Sequence, residues 1–180
     1  MDKHINTPLK KDKLVTLQAG DCVYITGKIY SARDAAHKRM LEAVMTGEDL
    51  PFSIKDNIIY YMGPSPAQSG QVIGSAGPTT ASRMDKYTPR LLDMGLSGMI
   101  GKGTRGREVI DSMIKNKVVY FAATGGAGAL LSKCIKESKV IVYDDLGTEA
   151  IHELYVEDFP VIVAIDSKGN NLYEMNSQIS

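Results

Sequence analysis

The chain has 180 residues, 43% of them apolar and 23% charged, with 17 glycines and 7 prolines, a balance that excludes a disordered or collagen-like chain. Lysines and arginines number 21, as do aspartates and glutamates, so the formal charge of zero offers no bulk attraction for nucleic acid or an anionic membrane surface. A local cluster of cations remains free to bind a small anion. No apolar run approaches the ~20 residues of a membrane-spanning helix, and Met1-Asp2-Lys3-His4 lacks the apolar core of a signal peptide. Cys22 and Cys134 are far apart, and the only histidines are His4, His37 and His152, so neither a disulfide framework nor a metal site is expected from this chain alone. Both cysteines read as reduced thiols of a cytoplasmic protein.

Residues 1–20 are polar and Lys-rich; 1–10 read as an arm, and Leu14, Val15 and Leu17 as a short strand. The run 23–30 is β-branched and aromatic and predicts a strand. Ser31 then reads as the N-cap of a helix, with Asp34 near the positive end of its dipole and Ala36, Met40, Leu41 and Val44 on its apolar period until Thr46-Gly47. A second strand, 58–62, stops at Gly63-Pro64-Ser65-Pro66, and a long Gly/Pro/Ser/Thr-rich segment runs to Thr80. The spacing next predicts a helix over 84–94, a tight Gly-flanked turn at 99–103, a helix over 107–115 and a buried strand over 117–123. Gly125-Gly126 opens a helix to about Lys136; strands follow at 140–143 and 159–166, then a hairpin turn at 167–170. Strands alternating with helices give an α/β fold, and without a repeat or a linker the whole of 1–180 reads as one domain.

Four features bear on chemistry. Thr124-Gly125-Gly126-Ala127-Gly128 follows a strand and opens a helix, but it lacks the Lys-Ser/Thr of a phosphate loop and the third glycine of a dinucleotide turn. It is open to two readings, a turn of backbone geometry alone or a presentation of N–H groups to a carboxylate. Arg33 and His37 stand four apart on one helix face beside the Asp34/Lys38 pair, which fits either a solvated face or a site. The segment 74–85 offers Thr79, Thr80, Ser82 and Arg83 before a helix, as a capped entry or an anion site. Lys102 stands between two glycines, on an exposed turn or projecting into a cleft. Arg33, Arg83 and Lys102 lie on three segments that an α/β fold can bring to one mouth. Two forks and a point charge suit a dicarboxylate, including one whose charge grows as a proton leaves carbon.

The order of motifs adds a resemblance. Gly27–Arg39, Tyr60-Tyr61-Met62-Gly63-Pro64, Gly77-Pro78-Thr79-Thr80 with Arg83-Met84-Asp85, Ile100-Gly101-Lys102-Gly103, Ala123–Ala127 and Asp145–Ile151 stand in fixed sequence. Over about Leu9 to Tyr173 the chain closely resembles the β subunit, or C-terminal catalytic domain, of iron–sulfur class I fumarate hydratases and L(+)-tartrate dehydratases. The resemblance implies a three-layer swivelling β/β/α domain with a mixed sheet. It implies reversible hydration of fumarate to (S)-malate, with a 4Fe-4S cluster held through three cysteines by a separate α subunit, and an α2β2 assembly. Carried over by motif, Arg33, Arg83 and Lys102 match residues that hold substrate carboxylates, and Thr79 matches the proposed proton-transfer residue. Asp34 and His37, which orient Arg33 or shuttle a proton, and Thr80, Gly125 and Gly126 are supporting positions. Dehydration of L(+)-tartrate to oxaloacetate is the nearest rival. A non-catalytic dicarboxylate-binding module and a nucleotide-binding domain built on Gly125-Gly126 are readings from other classes.

Overall fold

Ile58, Tyr60 and Met62 join one buried apolar cluster, while Ile59 and Tyr61 between them join a second. That period of two is the signature of a strand with both faces covered. A computed structural model describes residues 2–123 and 128–177. Its strands are β1 (Asp2–Asn6), β2 (Cys22–Ser31), β3 (Ile58–Tyr60), β4 (Gly98–Gly101), β5 (Val119–Ala123), β6 (Ile135–Val142) and β7 (Ile151–Ile165). The helices are α1 (Lys11–Leu14), α2 (Asp34–Met45), α3 (Thr88–Asp93), α4 (Arg107–Asn116), α5 (Gly128–Ser132) and α6 (Leu172–Ser177), with 3-10 turns at Ala81–Met84 and Asp144–Glu149.

The seven strands form one sheet in the order β1-β2-β3-β4-β5-β7-β6, and β2 also pairs with β7. Strands β2, β3, β4, β5 and β7 therefore close into a ring. Strands β1 to β5 run parallel to one another, and β7 runs antiparallel to β2, β5 and β6. One face of these strands packs Val23, Ile25, Ile58, Tyr60, Ile100, Phe121 and Phe159 together. The other gathers Ile59, Met99 and Tyr120 under Met40 of α2, Leu91 of α3 and Val109 and Met113 of α4. At about 25 cal/mol per Å² of apolar surface buried, these two clusters supply most of the drive to fold. The chain is thus a mixed α/β fold with a seven-stranded sheet.

Several local expectations change. The segment read as a polar arm contains β1, which pairs with β2 from Asp2↔Cys22 to Asn6↔Thr26 and buries Ile5. Leu14 and Leu17 are buried, but Leu14 ends a helical turn rather than a strand. Ser31 lies inside β2, opposite His152 and Tyr60, so the N-cap of α2 is Arg33. The helix expected over 84–94 divides into the 3-10 turn and α3, with Pro89 in the first turn of α3. The glycines around Met99 mark a buried parallel strand and not a turn. The helix expected to reach Lys136 ends at Ser132 within the described residues, and β6 begins at Ile135. The last strand begins at Ile151, and the turn at 167–170 brings Asn171 back to a single antiparallel bridge with Ile165 before α6 begins.

Candidate functional site

The parallel strands end side by side: Ser31 pairs with Tyr60, Tyr60 with Ile100 and Ile100 with Phe121. In open α/β sheets, ligands gather beyond the carboxyl ends of such strands. Beyond these ends stand Arg33 after β2, Gly63 after β3 and Lys102 after β4. The turn after β5, with Gly125 and Gly126, lies outside the described residues.

Residues 79–81 enter this mouth where β3 and β4 run out. Thr79 N–H donates to the Tyr61 carbonyl at 2.8 Å, Lys102 N–H to the Thr79 carbonyl at 3.2 Å and Ala81 N–H to the Lys102 carbonyl at 2.8 Å. A bridge between Thr80 and Lys102 completes the junction. Gly101 is the residue that lets the segments meet so closely: a Cβ there would lie 2.8 Å from the Tyr61 ring and 3.2 Å from Ala81 Cβ. Thr79 and Thr80 are half-buried, and Lys102 is exposed.

Arg83, at the end of the 3-10 turn, reaches across to α2. Its Nε donates to Asp34 Oδ1 at 3.1 Å and its Nη2 to Asp34 Oδ2 at 2.7 Å, and Nη2 also donates to Thr79 Oγ1 at 3.1 Å. Burial, the largest single influence, pushes the Asp34 carboxyl up, but the hydrogen bonds from Arg83 and from its own backbone N–H, with the charges of Arg83 and Arg33, together outweigh it and hold the carboxyl below the ordinary aspartate range. Arg33 Nε lies 4.0 Å from Asp34 Oδ2. The Arg33 side chain passes over Gly63, where a Cβ would meet its Cδ at 2.6 Å and its Nη1 at 2.7 Å. Arg33 and Arg83 thus flank the one carboxylate of Asp34, and the Lys102 backbone joins the strand junction that holds Thr79.

His37 is fully buried, and its Nδ1 lies 2.8 Å from the Arg33 carbonyl. A carbonyl only accepts, so Nδ1 carries the proton. Burial lowers its pKa from 6.5 to about 4, and near neutrality the ring is uncharged. His37 therefore donates to the Arg33 carbonyl and braces the peptide at the start of α2.

The arginine that sequence reasoning overlooked is Arg105. Its side chain is fully buried, with Nε on Asp85 Oδ1 at 2.8 Å and Nη2 on Tyr61 OH at 3.1 Å and Thr88 Oγ1 at 3.0 Å. Its guanidinium also lies 5.1 Å from the Tyr61 ring centre and 4.9 Å from that of Tyr120. Asp85 accepts the Gly106 N–H at 2.7 Å as well. This knot ties the Thr79–Asp85 segment, the end of β3 and the Lys102–Gly106 loop together beneath the mouth. The only sequence signal was an arginine between Gly103 and Gly106, close after Lys102.

Fold and site together define an α/β domain with a cationic cluster at the carboxyl ends of parallel strands. The chain belongs to the family described as Fumarase C-terminus, whose model matches residues 2–176. It is 41% identical over 180 residues to the Methanocaldococcus jannaschii protein named "Putative L(+)-tartrate dehydratase subunit beta", covering 97% of this chain and 92% of that one. It is 38% identical over 174 residues to the anaerobic class I fumarate hydratase of Escherichia coli, covering 94% of this chain and 32% of that enzyme. Fumarate hydratase 2 of Leishmania major is 38% identical over 165 residues, covering 91% of this chain and 29% of the enzyme. The chain thus spans about a third of the fumarate hydratases and nearly all of the β subunit.

Proposed function

We propose that this chain is the carboxylate-binding half of a two-chain hydro-lyase that reversibly hydrates fumarate to (S)-malate. The observation that carries the reading is the meeting of Arg83, Asp34 and Thr79 at 2.7–3.1 Å beside Arg33 and the Lys102 junction. The relatives named as fumarate hydratases support the substrate class.

In this reading Arg33, Arg83 and Lys102 hold the two carboxylates. Thr79 Oγ takes the proton from the carbon next to a carboxylate of malate and returns it in hydration. The electron pair left on carbon spreads into that carboxylate, where fixed cations lower its energy without reorganising. A threonine hydroxyl is a weak base in water, and the charge-assisted bond from Arg83 Nη2 favours its alkoxide. Asp34 keeps Arg83 turned toward Thr79, and His37 keeps the Arg33 backbone in place.

A 4Fe-4S cluster does not fit this chain. Its only cysteines are Cys22 and Cys134, and among the described residues no group of three or more His, Cys, Asp and Glu is placed to hold a metal. The reading therefore assigns the cluster to an α subunit, where, when bound, it supplies the Lewis acid for the hydroxyl group. An α2β2 assembly, a swivelling β/β/α domain over 1–180 and a cytoplasmic location complete it. Among the described residues no helix is long and apolar enough to cross a membrane.

A second reading, dehydration of L(+)-tartrate to oxaloacetate, is favoured by one observation: the relative named as a tartrate dehydratase β subunit matches over 92% of its length. Purified chain, alone and assembled with a cluster-bearing partner, is assayed with fumarate and with tartrate. The proposal expects turnover of fumarate by the assembly only. Turnover of tartrate alone favours the second reading, and turnover by the isolated chain without iron overturns both.

A further inference from the structure

The motif Asp145–Ile151 contributes no cation to the mouth, yet its residues brace the helix that carries Arg33 and Asp34. The N-cap of α2 is Arg33, which makes no side-chain capping bond, because a guanidinium has no acceptor for the N–H groups of the first turn. The acceptor arrives from a distant part of the chain: Glu149 Oε1 receives the Ala35 N–H at 3.2 Å across 114 residues. A carboxylate in that position also meets the positive end of the helix dipole. One turn further along, Arg39 gives Asp145 two hydrogen bonds, of 2.7 and 2.9 Å, and lies 5.0 Å from the centre of the Tyr143 ring. The 3-10 segment 144–149 is thus fastened to α2 at two points. Ala35 follows Asp34 directly, so the Glu149 bond fixes the peptide next to the carboxylate that grips Arg83. The Arg83 guanidinium is held above its ordinary pKa first by the Asp34 hydrogen bond, then by the charges of Asp34 and Glu149.

We propose that Glu149 is a positioning residue of the dicarboxylate site, acting as a remote cap that fixes the start of α2 and with it Arg33 and Asp34. The inference rests on the reading of the mouth given above. Glu149 exchanges no proton with substrate; its role needs an acceptor oxygen and not a titrating group.

The test uses the full chain assembled with a cluster-bearing partner, as wild type, Glu149→Ala and Glu149→Gln. Steady-state kinetics with fumarate, malate and tartrate are measured beside backbone amide exchange at Ala35. Glu149→Ala is expected to speed that exchange and to raise KM by about fivefold or more, the scale of a lost cap, with a smaller fall in kcat. Glu149→Gln, whose amide oxygen accepts the same bond, stays within about twofold of wild type in both measurements. Unchanged exchange and KM in Glu149→Ala overturn the inference, as does Glu149→Gln impaired as severely as Glu149→Ala. A loss of activity that tracks only the unfolded fraction, with KM unaltered, overturns it as well. A wild-type assembly that turns over none of the three substrates overturns the functional reading and this inference with it. Turnover by wild type with an unaltered KM in Glu149→Ala overturns the inference alone.

Discussion

Arg83 grips Asp34 through two parallel hydrogen bonds, Nε to Oδ1 at 3.1 Å and Nη2 to Oδ2 at 2.7 Å. The two residues come from segments 49 positions apart, and the pair joins the 3-10 turn to the first turn of α2. Because Nη2 also holds Thr79, Asp34 keeps the guanidinium oriented before any ligand arrives, which lowers the ordering cost of binding. Asp34→Asn keeps the shape and removes the charge. Both side chains are 40% or more exposed, so the stability lost is small, within about 1 kcal/mol. The activity of the assembled enzyme is expected to fall at least about tenfold, mainly in kcat, as Arg83 loosens from Thr79. Parallel measurements of Tm and steady-state kinetics check both halves.

Gly63 makes room for Arg33. A Cβ at this position would press on the Arg33 Cδ and Nη1 atoms, which belong to a side chain able to move, and Gly63 is not among the glycines with positive φ. Gly63→Ala is expected to fold with nearly wild-type stability while displacing the guanidinium. Substrate affinity then falls by about tenfold, the loss of roughly one charge-assisted hydrogen bond. Calorimetric titration of a dicarboxylate, set against the urea midpoint, separates displacement from unfolding.

His37 makes the fold sensitive to acid. Its folded pKa lies near 4, below the ordinary 6.5, so the unfolded chain binds more protons between these values and stability rises with pH across the window. Above pH 6.5 this contribution is fully present, and by pH 4 about 3 kcal/mol has been lost. Asp34, held below its ordinary value, adds a loss in the same direction at lower pH. His37→Asn, whose side-chain amide still donates to the Arg33 carbonyl, should show a flatter dependence of unfolding free energy on pH from 4 to 6.5. Urea titrations across that range measure it.

Arg105 is the structural keystone beneath the mouth. Removing it takes away the charged partner of Asp85, which keeps the Gly106 N–H, and a donor to the Tyr61 and Thr88 hydroxyls, so Arg105→Ala should cost about 3–5 kcal/mol. Arg105→Lys retains the charge but replaces a fork by a single nitrogen, which cannot serve Asp85, Tyr61 and Thr88 together. A loss of more than about 1 kcal/mol is expected for it, read from urea unfolding.

Much of this architecture was legible in the sequence. The β-branched run before Tyr30 and the amphipathic spacing of Val109, Ile110 and Met113 announce their elements because their periods match the faces they bury. Gly101 misled because it serves close packing at the end of a strand: a Cβ there would lie 2.8 Å from the Tyr61 ring. Asp2–Asn6 carries few apolar residues because it is an edge strand that buries little beyond Ile5. For the site, the motifs nominate Arg33, Thr79, Arg83 and Lys102, but their convergence depends on parallel strands ending together, a long-range property. Arg105 and Glu149 act through partners 17–44 and 114 residues away, distances over which local spacing carries no signal.

The central claim is that fixed cations on this chain steady a dicarboxylate as its charge develops. The most direct measurement is kcat/KM for fumarate hydration by the chain assembled with a cluster-bearing partner, comparing wild type with Arg83→Ala and Lys102→Ala. Each substitution is expected to lower it by at least about tenfold, equivalent to ~1.4 kcal/mol of lost transition-state stabilisation. Wild-type values in both variants, with the assembly intact, would contradict the claim.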